Sequence, residues 1–190
     1  VPPSVYGYNK TLDIRPAYDE KKAKALLTEA GYPNGFSATL PCLATGEFVC
    51  NVVAGTLAKV GISITVDVVP IAKALADARS GKAEMGMVLF FYSNFDVGMG
   101  LQDLFHSNGS RNFGMYSNPE LDKIIDAQSV EIDPSKRLTM INQALAMIKE
   151  DAPKPVMFFP VFYFGMQDNV DIKMNKLSLP LFRDVKINHQ

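Results

Sequence analysis

Residues 36–79 read FSATLPCLATGEFVCNVVAGTLAKVGISITVDVVPIAKALADAR, and the period of their apolar positions changes along the way. Ile62, Ile64, Val66 and Val68 alternate with Ser63, Thr65 and Asp67, the repeat of a strand. Before them the spacing is helical: Val49, Val53, Leu57 and Val60 share a face until Gly61 stops it. After them Ile71, Ala74, Leu75 and Ala78 lie on one side of a short helix running to Arg79. Phe36 to Leu43 has the content of a strand. Strand and helix therefore alternate, which predicts an α/β layer with at least partly parallel strands.

The pattern extends outward. Upstream, YDEKKAKALLTEAG reads as a helix with Asp19 as N-cap, Ala23, Leu26, Leu27 and Ala30 inward, and Gly31 as its stop. Downstream, Glu84 to Phe91 ends in the apolar run MGMVLFF and predicts a buried strand. A long loop follows from Tyr92 to about Ser117, rich in Gly, Asn and Ser, and loops of that length tend to carry function. Asn118-Pro119 opens a helix with Leu121, Ile124 and Ile125 inward. Asp133-Pro134 opens a longer one with the stripe Leu138, Ile141, Leu145 and Ile148. Val156 to Phe164 predicts a last apolar strand, and Asp184 to Ile187 a further strand with no evident partner in the chain.

Bulk properties narrow the function. With 190 residues, 47% of them apolar, the chain can bury a core without a metal scaffold. The 19 basic and 20 acidic residues leave a formal net charge of −1, which gives no footprint for nucleic acid. No stretch reaches the roughly 18 apolar residues of a membrane span. The opening VPPSVYGYNK lacks a signal peptide's pattern, so the expectation is either a cytosolic chain or one whose leader has been removed. Cys42 and Cys50 have neither zinc nor redox spacing. They read as two buried thiols or as a disulfide closing a short loop, the latter implying an oxidising compartment.

Catalytic signatures are missing. His106 and His189 are the only histidines, and neither a nucleophile elbow nor a Cys–His pair is present. Gly98-Met99-Gly100 lacks the third glycine of a dinucleotide loop. No cofactor and no metal site is expected. Asp96, Asp103 and His106 lie close in sequence and could imitate a metal or acid–base cluster, but a metal site needs three or four ligands in a defined geometry; Asp103 and His106 define the alternative of a hydrolase or metalloenzyme. The nine methionines fall mostly on predicted apolar faces and read as core filling.

An ordered series of segments carries a resemblance. PPSVYGYNK precedes YDEKKAKALLTEAGYPNGF; LAKVGISITVDVVP precedes EMGMVLFF; NFGMYSNPELDKIIDAQSVEIDPSKRLTMINQALAMIKEDAPKPV follows. In this order they resemble the solute-binding components of peptide, nickel and opine ABC importers, the bacterial extracellular solute-binding proteins of family 5. The resemblance implies a periplasmic-binding-protein-like α/β lobe with a mixed, mostly parallel sheet flanked by helices. It implies a C-terminal ligand-binding lobe over residues 1–166, with 1–18 as the crossover segment. The tail 167–190, containing LSLPLFRDVKIN, resembles the segment that returns to the first lobe. The implied partners are a small polar solute, an N-terminal lobe of the same protein and an ABC permease, in the periplasm or another extracytoplasmic space. A ligand sensor of the same fold serving a regulator is a further alternative.

The resemblance also points to site residues. Peptide binders of the family carry an aromatic, then an Asp that pairs with the ligand's α-amine, then a second Asp. With Phe90 at the aromatic, Ser93 stands at the amine-binding position and Asp96 at the second Asp, followed by Val97 where Pro is usual. A neutral hydroxyl cannot make a charge-assisted bond to an ammonium, which argues against a peptide held by its free amine. Asp96 reads as a turn or capping carboxylate, with ligand contact as the alternative. Tyr92 is expected to face the cleft because its hydroxyl needs a polar partner. Ser93 and Asn94 either bond a polar ligand or satisfy the turn. Glu47 sits near the place where relatives carry a carboxylate-binding Arg, which turns expectation toward a cationic or uncharged solute; it also suits a helix's first turn. Arg111 and Asn112 lie in the long loop, in a region that approaches the cleft in the family.

Overall fold

The helix expected after Asp19 forms as α1 (Glu20–Glu29), with the Asp19 carboxylate accepting the Lys22 N–H. A computed structural model of the chain describes residues 1–158, 163–174 and 181–188. Gly31, at φ +89°, turns the chain out of α1 in a conformation that a Cβ would oppose. The apolar stripe of α1 is not buried: Leu26 is exposed and Leu27 half-buried.

The decisive stretch folds as its periods demand. β1 (Phe36–Cys42), α2 (Glu47–Ala58), β2 (Ile62–Val68) and α3 (Ile71–Arg79) follow in order. β1 and β2 pair in parallel, from Phe36 opposite Ile62 to Cys42 opposite Val68. A parallel pair needs a crossover, and α2 supplies it. Leu40, Cys42 and Cys50 form the core there, with Val53, Ile64, Val66 and Met85 packed around them. Cys42 and Cys50 are joined in a disulfide, so of the two readings open to the sequence the bridge is the one realised.

The expected strand from Glu84 to Phe91 does not form. The Glu84 carboxylate, not a backbone carbonyl, accepts the Thr39 N–H at 2.7 Å on the open edge of β1. Met85 turns into the core cluster, but Met87, Val88 and Leu89 stay exposed. An apolar run becomes a central parallel strand only when both of its faces are covered, and these are not.

The long loop holds more structure than its composition suggests. Within it lie α4 (Val97–Gly100) and a π-helical turn at Leu101–Phe105. α5 (Pro119–Val130) and α6 (Pro134–Asp151) then form as expected, α6 capped by the Asp133 carboxylate, which accepts the Ser135 and Lys136 N–H groups. Leu121, Ile125 and Ile141 are fully buried. Leu138 is not, and Ala144 takes a core place instead. At the end of α6 Ala152 adopts the left-handed conformation, φ 45°.

The strand expected over Val156 to Phe164 falls partly on residues 159–162, outside the described residues, and its described flanks carry no strand. The tail strand does find a partner in this chain. β3 (Val170–Asp171) pairs antiparallel with β4 (Lys186–Ile187). By contact density the chain forms two units. A sheet unit comprises Ile14–Leu89 and Leu104–Asn118, and a helical unit comprises Val1–Asp13, Phe90–Asp103 and Pro119–Gln190.

Candidate functional site

The segment from Tyr92 to Asp96 is a tight turn in the helical unit. The Phe95 N–H donates to the Tyr92 carbonyl at 2.9 Å, and the Ser93 N–H to the Phe91 carbonyl at 3.0 Å. Asn94 Oδ1 accepts the Asp96 N–H at 3.1 Å, a side-chain closure typical of Asn in turns. Phe95 sits at φ 57°, a costly position for a non-glycine residue that its surroundings must enforce.

Backbone bonds enforce it first. The Tyr6 N–H donates to the Phe95 carbonyl at 2.8 Å, and the Val97 N–H to the Tyr6 carbonyl at 3.0 Å. Side chains complete the anchor. Asp96 caps α4 by accepting the Gly98 N–H at 2.7 Å, and both of its oxygens accept from the Arg137 guanidinium. Arg137 in turn donates to the Gln128 carbonyl at 3.1 Å and to its Oε1 at 3.0 Å, and lies 5.4 Å from the centre of the Tyr6 ring. The hydrogen bonds from Arg137 hold the Asp96 carboxyl below its ordinary range, against the opposing effect of burial. The capping role expected for Asp96 is thus what its geometry shows, and its oxygens are already engaged. Substituting Gly98 would press on Arg137 Nη2, 2.6 Å from the position of an added methyl.

What the turn presents outward is Ser93 and Asn94, both exposed. Ser93 Oγ lies 3.6 Å from Met99 Sδ, a weak contact that leaves its hydroxyl accessible. Tyr92 is half-buried. Its ring meets Phe90 edge-on at 5.1 Å and lies so close to Gly100 that a methyl there would stand 2.6 Å from Cε1. Burial pushes the Tyr92 phenol up to about 12.

Other expected site residues belong to the sheet unit. Glu47 is the first residue of α2 and is exposed, where the helix N-terminus favours a carboxylate. Arg111 is exposed. Asn112 is buried and serves its own loop: Nδ2 donates to the His106 and Tyr116 carbonyls, and Oδ1 accepts the Tyr116 N–H. His106 is buried, and its Nδ1 accepts the Asn108 N–H at 3.0 Å. Among the described residues no group of His, Cys, Asp and Glu gathers in a form that would hold a metal ion.

Residues 1–112 match the family model of the bacterial extracellular solute-binding proteins, family 5 Middle. The chain is a member of this family. The family 5 chain is 32% identical over 166 residues to the glutathione-binding protein GsiB of Escherichia coli K12, covering 80% of itself and 32% of that relative. It therefore spans about a third of the curated relatives it matches. Its fold matches that of HbpA2 from Haemophilus parasuis, with a TM-score of 0.77 at 20% identity over 96% of this chain and 38% of that one. It also matches the periplasmic binding protein DppA of Helicobacter pylori in complex with the peptide STSA, with a TM-score of 0.64, 27% identity, and coverage of 80% and 31%. The family and the periplasmic-binding-protein fold read from the segment order both hold.

Sequence reasoning missed Arg137, Gln128 and Tyr6 as the anchor of the turn. Arg137 lies 41 residues from Asp96, and nothing local marks the pair. The one available signal is that Arg137 follows closely on the Asp133-Pro134 helix start, away from the apolar stripe.

Proposed function

We propose that this chain is the solute-capturing lobe of an extracytoplasmic binding protein serving an ABC importer, and that it acts by binding and not by catalysis. Residues 1–166 form the lobe in this reading, and 167–190 return to an N-terminal lobe of the same protein. The solute is a peptide-like or other small polar molecule enclosed between lobes, and the loaded form is delivered to a membrane permease. Ligand acts by favouring the closed arrangement, which it contacts more extensively.

The observation that carries the reading is the turn at Tyr92–Asp96: an exposed Ser93–Asn94 pair on a backbone pinned at Asp96 by Arg137. A rigid support with accessible polar groups is what orientation of a small solute requires. Tyr92, Ser93 and Asn94 of the helical unit are assigned to solute contact, and Glu47 and Arg111 of the sheet unit are further candidates for it. Asp96 and Asn112 hold their loops in position. The Cys42–Cys50 disulfide supports an oxidising compartment such as the periplasm.

The test is to purify the full-length protein natively from the cell envelope, release its bound small molecule by denaturation, and identify it by mass spectrometry. Calorimetric titration of the stripped protein with that molecule should restore stoichiometric binding. A protein that carries no solute, or that chemically converts the one it carries, defeats the reading.

A further inference from the structure

The connector between α5 and α6 is Glu131-Ile132-Asp133. Ile132 is 93% exposed, and Val130, the last residue of α5, 78%. A single apolar residue on a surface is ordinary. Here two of them flank Glu131 at the tip of a helix pair whose inner face is filled by Leu121, Ile125 and Ile141. The core places of both helices are taken, so Val130 and Ile132 stay in water.

The connector is pinned on both sides of Ile132. Glu131 Oε1 accepts the Asp133 N–H at 2.8 Å. Asp133 Oδ1 accepts the Ser135 and Lys136 N–H groups at 2.9 and 3.1 Å. Little loop ordering is therefore left to oppose binding at this tip. The same helix end reaches the solute-contact turn. The Tyr6 hydroxyl donates to the Pro134 carbonyl at 3.0 Å, and Arg137, one turn on, grips Asp96. All of these residues lie in the helical unit.

Charge selects the occupant. From Asp126 to Ser135 the sequence carries Asp126, Glu131 and Asp133 and no basic residue; Lys136 is the first. Anionic lipid would repel this tip, since segments that lie on such membranes carry Lys and Arg beside their apolar residues. A second copy meeting the first about a two-fold axis would set the same acids against each other. A protein that offers an apolar socket bordered by cations meets both features.

We propose that the α5–α6 connector is a docking point for the importer's membrane permease. Ile132 and Val130 enter an apolar socket, and Glu131 and Asp133 meet lysine or arginine at its border. The inference rests on the solute-binding reading and adds to it the surface by which the protein is recognised. A few apolar anchors at the centre of an interface carry much of its energy, and charges around them steer the encounter. Docking at the start of α6 also places the partner on the helix whose Arg137 supports the solute-contact turn.

The experiment uses the full-length protein, loaded with the molecule it carries from the cell, and the permease complex in lipid nanodiscs. Empty nanodiscs of the same lipid serve beside it. Surface plasmon resonance reads binding, and ATP hydrolysis reads productive docking. Ile132→Ser should weaken binding to the permease by about tenfold or more, the scale of one lost aliphatic contact, and Ile132→Leu should not. The double variant Glu131→Gln/Asp133→Asn keeps both capping acceptors and removes both charges. It should bind more weakly at low salt and lose most of the salt dependence of wild type. Every variant should keep the solute affinity of wild type by calorimetry and its fold by circular dichroism, since the altered side chains bond only within the connector and its helix end.

Equal binding of wild type and Ile132→Ser to the permease would overturn the proposal. So would binding to empty nanodiscs that Ile132→Ser removes, which makes the membrane the occupant. Self-association in sedimentation velocity that the same variant removes would make the occupant a second copy, with the same consequence. Loss of solute affinity or of stability in Ile132→Ser would mean that another part of the full-length protein covers the residue, and would overturn it too. An unchanged salt dependence in the double variant would remove the charged border. Each of these failures leaves the importer reading intact. A loaded wild type that neither binds the permease nor stimulates ATP hydrolysis defeats that reading first, and the docking point with it.

Discussion

Arg137 grips Asp96 with two parallel bonds, Nη1 to Oδ2 at 2.6 Å and Nη2 to Oδ1 at 2.8 Å. The side chains are about a quarter exposed or less, so the pair is neither a solvated surface bridge nor fully desolvated. Bidentate geometry and partial burial place it above the small contribution of exposed ion pairs. It fixes the end of the turn that presents Ser93 and Asn94, and links α4 to α6.

Replacing Arg137 by Gln should lower stability by roughly 2 kcal/mol, the scale of a hydrogen bond to a charged group. The denaturant midpoint of the full-length protein measures this. Solute affinity should fall as well, because the turn loses its anchor, and Arg137→Lys should recover only part of each effect. Unchanged affinity in a destabilised Gln variant would make the pair structural only.

The same pair predicts an acid limb. The Asp96 carboxyl is held below its ordinary value by Arg137, so the unfolded chain takes up the proton first as pH falls. Its contribution is complete above the unfolded value of about 3.9 and is lost as pH drops through the lower folded value. Unfolding midpoints followed below about pH 5 should decline more gently in Asp96→Asn than in wild type. Parallel declines would show that the pair is not formed in solution.

Tyr92 should behave in the opposite direction. Its phenol is raised to about 12 by burial, so the folded protein keeps a proton that the unfolded chain loses near 10. The corresponding stability is intact below about pH 10 and lost as pH climbs toward the folded value. Ultraviolet titration of the phenols should lose a late-ionising component in Tyr92→Phe. A tyrosinate appearing near pH 10 at this residue would contradict its packing against Phe90 and Gly100.

The disulfide spans 8 residues, a short loop that should contribute about 2–3 kcal/mol through the unfolded chain. Urea midpoints of wild type and Cys42→Ala/Cys50→Ala report the difference. Added reductant should move wild type toward the variant and leave the variant where it is. A midpoint insensitive to both would mean that native packing gives back what the bridge supplies.

Ser93 tests the solute chemistry. Placing a carboxylate there, as Ser93→Asp, restores the charge that peptide binders of the family use for an α-amine. Affinity for a short peptide with a free amine should rise by about tenfold or more, the worth of a charge-assisted bond. N-acetylation of the peptide should abolish the gain. Calorimetric titrations with the two peptides separate the outcomes, and an equal gain for both would point to a contact other than the amine.

How much of this was legible in advance depends on the range of the interaction responsible. α1, α2, β2 and α3 follow from apolar period, caps and stops that lie within a few residues of one another; β2 begins and ends where its alternation does, and α3 spans its helical spacing from Ile71 to Arg79. The order of segments also fixed the family, because it is a property of the chain and not of its contacts. Residues 84–91 depart from the expected strand for the complementary reason: an apolar run states that cover is needed, not that it is present. Leu26 and Leu138 carry the right spacing and still lie exposed.

The site divides along the same line. The chain alone placed Tyr92, Ser93, Asn94 and Asp96 at the end of an apolar run, and composition made their segment a turn. Only tertiary structure decided that Asp96 belongs to Arg137, that Asn112 serves its own loop, and that Cys42 meets Cys50. Each of those outcomes depends on the distance and direction of a side chain brought from another element or across a loop. Periodicity encodes which face a residue takes, but a partner 41 positions away is specified only once the backbone has folded around both.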